Sequence, residues 1–265
     1  RPKVVDATLP PVGERWTDRG RELTLLADRL QHLTPDGEVD DTLFDVLLIL
    51  GRVLDPEVDL AKAVATSDRL SERISSDPSP RGVVRSLMES GIGGAGPSFL
   101  SWRNSSVAHA LLSGHGLPLT LGAITVVAAG RVGCQLELIG LPFHVVVGCP
   151  VGEGTSETAD GSPRYDAFID ALVPSVCDVH ALETLVERNS RGRLRLEPSM
   201  LAVMSNRDVL VRVLNNLENA ANAGRDLPLL GLVRVVRAVA YSVLSASGES
   251  EASGRSSPSG RHMLN

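Results

Sequence analysis

The stretch HGLPLTLGAITVVAAGRVGCQLELIGLPFHVVVG, residues 115–148, decides the fold, because its hydrophobic periodicity changes part-way along. Pro118 stands where a helix can begin without its missing N–H being felt, and the run that follows is apolar as far as Gly130. Gly130 or Gly133 can end that helix in a left-handed turn. Beyond it, CQLELIG and FHVVVG are short runs rich in branched apolar residues, parted by a turn at Leu141 and Pro142, which predicts two strands. Alternation along the second puts Phe143, Val145 and Val147 on one face and His144 and Val146 on the other. After the polar loop PVGEGTSETADGSPR, residues 150–164, comes a third strand-like run, YDAFID. The expectation is an α+β fold. A small antiparallel sheet from Cys134–Gly140, Phe143–Gly148 and Tyr165–Asp170 packs on helix Pro118–Gly130, with N- and C-terminal helices flanking it.

Outward from this centre the chain reads as helical. Residues 1–16 are polar and proline-rich and read as an unstructured lead-in; 17–97 form a helical layer in which Leu23, Leu26, Leu30 and Leu33 recur at helical spacing. Asp55 is expected to cap a helix opened by Pro56, and a shorter helix at Arg81–Glu89 ends in GIGGAGP. A short helix capped by Asn104 or Ser105 enters the core, which extends over 98–226 with its following helices. A C-terminal helix occupies 227–244, and 245–265, nearly all Ser, Gly and Glu, read as a disordered tail. No internal repeat is visible.

Composition narrows the function. Aromatics are 3% and the formal net charge is -6, which leaves neither stacking platforms nor a basic stripe for nucleic acid. Three cysteines, Cys134, Cys149 and Cys177, cannot all pair and none lies in a CxxC, which points to a reducing, cytoplasmic setting. Leu117–Gly130 is too short to span a bilayer and Leu227–Tyr241 carries Arg234 and Arg237, so no membrane partner is expected. The first residue is Arg1 rather than Met, and a trimmed or fragmentary product is the expectation.

A helix N-terminus gathers unsatisfied N–H groups and the positive end of the dipole, and so stabilises a thiolate or an oxyanion. Cysteine acyl-transfer enzymes place a nucleophile there and bring a histidine and an orienting carboxylate from neighbouring strands. The order here is Thr120 at the helix start, His144 on a strand and Asp170 at a strand end. Each also has a plainer reading: Thr120 capping a first-turn N–H, His144 a core histidine bonded to a carbonyl, Asp170 capping a turn. Cys149, at an odd offset from His144, should face the opposite way. Cys177 and His180, read at a helix start, could form half a zinc site with His109 or His115, but at a spacing wider than structural zinc uses; no metal and no cofactor are expected. Asn215 and Asn216 should tie helix to loop, and Arg234 and Arg237 mark a solvated helix face.

From NSSVAHALLSG through PFHVVV the chain resembles the SirB-type transglutaminase-like proteins, whose pattern runs roughly NSyLxxVLxrrxGiPisLsxlyxxvaxrlGlxlxgvxxPgHflv. The likeness extends upstream through DPEVDLAKAVATSDRLSERI and downstream through FID and VLVRVLNNLENA. It implies a papain-like transglutaminase core embedded in helices. Carried over by position, His144 takes the place of the family histidine and Asp170 that of the family aspartate, while Thr120 stands where a working transglutaminase has cysteine. Phe143 replaces the family's glycine before the histidine, and DALVPS replaces DPFNGG. The resemblance thus implies a catalytically silent protein with Thr120, His144 and Asp170 as vestigial triad positions, expected to act as a binding or regulatory module for a protein or peptide partner. The alternative is an acyl transferase or amide hydrolase that recruits Thr120 or Cys177 to His144 and Asp170.

Overall fold

The computed structural model describes residues 12–96, 98–150 and 165–254; the polar loop expected at 150–164 and the ends of the lead-in and tail fall outside them, save for Pro150 and the portions named below. At its centre is the helix Pro118–Gly130, α6 in chain order, with every residue from Leu119 to Ala129 buried. Five helices precede it: α1 (Val12–Gln31), α2 (Asp41–Leu54), α3 (Leu60–Ser76), α4 (Pro80–Glu89) and α5 (Val107–Ser113). Strands β1 (Glu137–Ile139), β2 (Val146–Pro150), β3 (Tyr165–Asp170) and β4 (Ser175–Cys177) follow, then α7 (Val179–Ser190), α8 (Asn206–Gly224) and α9 (Leu227–Gly254).

The sheet is antiparallel throughout, in the order β1-β2-β3-β4. Its register aligns Leu138 with Val147 and Val147 with Ile169, and these three belong to the core that surrounds α6. The opposite face, Ile139, Val146 and Phe168, is covered by Leu182 and Val186 of α7. Gly122 sets the contact between α6 and the sheet, since a Cβ there would lie 2.6 Å from Leu138 Cδ1.

The α+β architecture is as expected, with several boundaries moved. The sheet has a fourth strand, β4, where a helix start was expected: Cys177 ends that strand, and Asp178 caps α7 by accepting from Ala181 N–H. Both flanking strands are shorter than expected. Cys134 N–H donates to Ala129 O, holding this stretch against the end of α6, and Phe143 at φ 62° interrupts the second run, so that His144 precedes β2 instead of lying in it. Asp55 caps the end of α2; the cap of α3 is Asp59, which accepts from Lys62 N–H, and Pro56 opens no helix. Ser106 occupies the N-cap position of α5, with Asn104 and Ser105 inside a preceding 3₁₀ turn. Helix α1 begins at Val12, and α9 continues to Gly254, because a helix already nucleated on packed turns propagates through Ala, Ser and Glu at little cost.

By length and composition alone Leu227–Ser245 of α9 could cross a membrane. Here it lies on α1 and α8 and buries Leu232, Val233, Val236 and Ala240. Arg237 donates to Asn215 Oδ1 and to Glu218 Oε2, each at 3.0 Å, and Arg234 reaches the same carboxylate at 3.5 Å. Asn215 therefore ties helix to helix, and the two arginines face α8 as well as solvent.

His109 fastens α5 to the end of α2. Its Nε2 lies 3.1 Å from Asp55 Oδ2 and its Nδ1 3.0 Å from Ser106 Oγ, with Trp102 edge-on to the ring. Burial pushes the imidazole below its ordinary pKa, by more than the Asp55 carboxylate holds it up. The unfolded chain takes up a proton near pH ~6.5 where the folded protein resists it, so this contribution to stability is complete above that pH and lost as pH falls through it. Denaturant midpoints measured between pH ~7.5 and ~5 should fall in the wild type and fall less steeply in His109→Gln.

Candidate active site

The start of α6 is fixed from outside the helix. Leu117 N–H donates to Asn104 O at 2.8 Å, and Asn104 Nδ2 donates to Ala95 O at 2.7 Å and Ser98 O at 2.8 Å, so one buried amide holds both the helix start and the loop before it. The glycine-rich turn is stitched to the strand side of the site, with Gly94 N–H donating to Leu172 O at 2.6 Å. Gly94, at φ 76°, adopts a conformation that glycine takes without strain.

Opposite that helix start, His144 Nε2 and Asp170 Oδ2 are 3.0 Å apart on side chains only 7% and 12% exposed. The carboxylate divides its work. Oδ1 accepts from Leu172 N–H at 2.9 Å and Val173 N–H at 3.3 Å, the turn-capping role, while Oδ2 holds the ring. Burial alone would raise the Asp170 pKa, but the His144 bond and the two backbone N–H groups outweigh it and hold the carboxyl below its usual range. An ionised Asp170 draws the ring proton to Nε2, which leaves Nδ1 as an acceptor; it has no partner among the described residues. Both side chains, with Leu117, Pro118 and Leu119 of the helix start, line a cleft of ≈ 640 Å³.

The third position differs. Thr120 is 1% exposed, and its Oγ1 has no hydrogen-bond partner among the described residues. It therefore caps no N–H, makes no bond to His144 and is not among the residues lining the cleft. None of the three cysteines lines it either. Cys134 donates to Pro78 O, and burial pushes the Cys149 thiol up to about 12. Cys177 pairs with Phe168 across the sheet. His180 is exposed beside Glu183, and His115 meets Gly93 O, so Cys177, His180, His109 and His115 form no metal cluster among the described residues.

Phe143 marks the mouth. It has a left-handed backbone, φ 62°, and its ring is 76% exposed. Glycine would take that backbone without strain, whereas a bulky residue in this region is a steric outlier. Across the cleft lie Arg188 of α7 and Arg212, Asn215 and Asn216 of α8. The sequence gives no local signal for this polar wall, which is assembled from two helices that approach only in the fold.

A family model described as the transglutaminase-like superfamily matches residues 60–215, a span that includes Thr120, His144 and Asp170. Neither a curated protein nor a solved structure matches the chain. Two substitutions test the geometry. Thr120→Val keeps the shape and removes an unpaired buried hydroxyl, so stability should be unchanged or rise by up to ~1 kcal/mol. Phe143→Gly relieves left-handed strain, partly offset by the freedom glycine adds to the unfolded chain, and should stabilise by about 0.5–1 kcal/mol. Urea unfolding reads both; a clear loss at either position would mean that the side chain has a partner in the folded protein.

Proposed function

Because the chain belongs to the transglutaminase-like superfamily, we propose that it is a catalytically silent member whose cleft binds a protein or peptide partner. One observation carries this reading: the residue at the helix start is Thr120, sealed in the core, while the histidine and carboxylate that would serve a nucleophile stand ready without one. A threonine hydroxyl ionises far less readily than a thiol and needs direct contact with a base, which Thr120 lacks among the described residues. Within the superfamily, a SirB-type placement and a papain-like core are supported by the ordered set of Asn104, Pro118, His144 and Asp170. Three free cysteines favour the cytoplasm as its setting.

In this reading the pair of His144 and Asp170 is a structural brace. It clamps the turn entering β2 to the end of β3 and keeps the cleft wall rigid. A macromolecular partner fits better than a small ligand, because Phe99, Phe143 and Val173 line the cleft yet remain more than half exposed.

The test is an acyl-transfer and amide-hydrolysis assay on wild type and on Thr120→Ala, Cys177→Ala and His144→Ala. No turnover above buffer is expected from any of them. Turnover that disappears with His144→Ala and with one of the other two would establish an enzyme and name its nucleophile.

A further inference from the structure

We propose that the cleft selects an acidic segment of a protein partner, seating an apolar side chain on Phe143 and carboxylates on Arg188 and Arg212. The inference rests on the binding reading above and adds the chemistry of the ligand.

Charge is the first argument. The chain carries a formal net charge of -6, yet the charged side chains lining the cleft are Arg188, Arg212 and Asp170. Asp170 is already committed to His144 and to two turn N–H groups. Neither arginine has an ion pair or side-chain hydrogen bond among the described residues, whereas Arg131 and Arg237 each hold a carboxylate. Arg212 also has a prepared position: its guanidinium lies over Gly140, where a Cβ would come within 2.9 Å of Nη2. Planar guanidinium groups without partners are suited to carboxylates.

The deeper end of the cleft has the same sign. The first turn of α6 has no side-chain cap; Pro118 has no N–H and Leu117 N–H is held by Asn104 O, which leaves the N–H of Leu119, a residue that lines the cleft, for a ligand. Beside it stands His144, nearly buried, with no partner for Nδ1 among the described residues.

Phe143 is the second argument, independent of charge. Its left-handed backbone and its exposed ring each cost stability and make no contribution to the core. A strained, exposed aromatic beside unpaired arginines is the composition of an interface anchor. Polyanionic nucleic acid is the poorer match, because two arginines in an acidic chain cannot follow a phosphate backbone.

The experiment pans a random-peptide display library against the whole protein, then measures the selected peptides and a labelled oligothymidylate by fluorescence anisotropy. The selected peptides should be rich in Asp and Glu around an apolar residue, and should bind more weakly at ~300 mM than at ~50 mM salt. Arg188→Gln with Arg212→Gln should weaken binding about tenfold or more, as exposed substitutions that leave the fold intact. Phe143→Gly should weaken it about tenfold while leaving the protein at least as stable. Neutral peptides whose affinity depends on Phe143 but not on the arginines would overturn the acidic ligand and leave the binding module standing. Preference for the oligothymidylate would overturn the peptide assignment. Selected peptides that bind Phe143→Gly and the arginine variant unchanged, or none selected at all, would overturn both readings. Cleavage of a bound acidic peptide would uphold the ligand and overturn catalytic silence.

Discussion

Helix α6 has no polar face, and the rest of the molecule is arranged around that fact. A helix apolar on every side cannot lie on a surface; it must be enclosed. Helices α2, α3 and α5 close it on one side, and the sheet closes it on the other through the contact at Gly122. Only its ends reach the outside, the first turn at the half-buried Leu117 and Pro118 and the last residue at the exposed Gly130. The cleft lies at the first of these ends. It is bounded by the strand ends that carry His144 and Asp170 and by α7 and α8 beyond them.

This arrangement was legible in sequence where a pattern is long or chemically distinct. Pro118 and the unbroken apolar run located α6, and YDAFID located β3 to the residue. His144 and Asp170 could be paired by chain order, and they lie within a hydrogen bond of each other. Short or non-local features were not legible. The strand β4 is only three residues long and declares itself through its ladder with β3, which no local pattern encodes. Asp55 and Asp59 are equally good caps on paper; the continuation of α2 to Leu54, driven by burial of Val53 and Leu54, decided between them. Phe143 reads as a strand residue by alternation, and its backbone defeats that reading because the turn from Leu141 requires a left-handed residue there.

The site combines two opposed tendencies. Asp170 is satisfied at both oxygens and His144 is held firmly, so one wall of the cleft is ordered and electrostatically settled. The opposite wall and the rim are unsettled, with arginines that have no side-chain partner among the described residues and an aromatic side chain in contact with solvent. A protein that needed only to fold would favour neither. Their concentration around one opening, in a chain whose core is otherwise well packed, locates the demand of function more sharply than the remnant of the triad does.

His109 deserves comparison with His144 on this point. It bridges a serine hydroxyl and an aspartate at 3.0 and 3.1 Å, a better likeness of a hydrolase relay than anything in the cleft. Yet Ser106 is 3% exposed and closely backed by Gly51, where even a Cβ would come within 2.9 Å of its Oγ, so no substrate can approach. The arrangement is a joint between helices. A template search over side-chain distances would flag it, and a histidine scan scored by loss of signal would implicate it as strongly as a true catalytic base. Access, not constellation, separates a relay from a rivet.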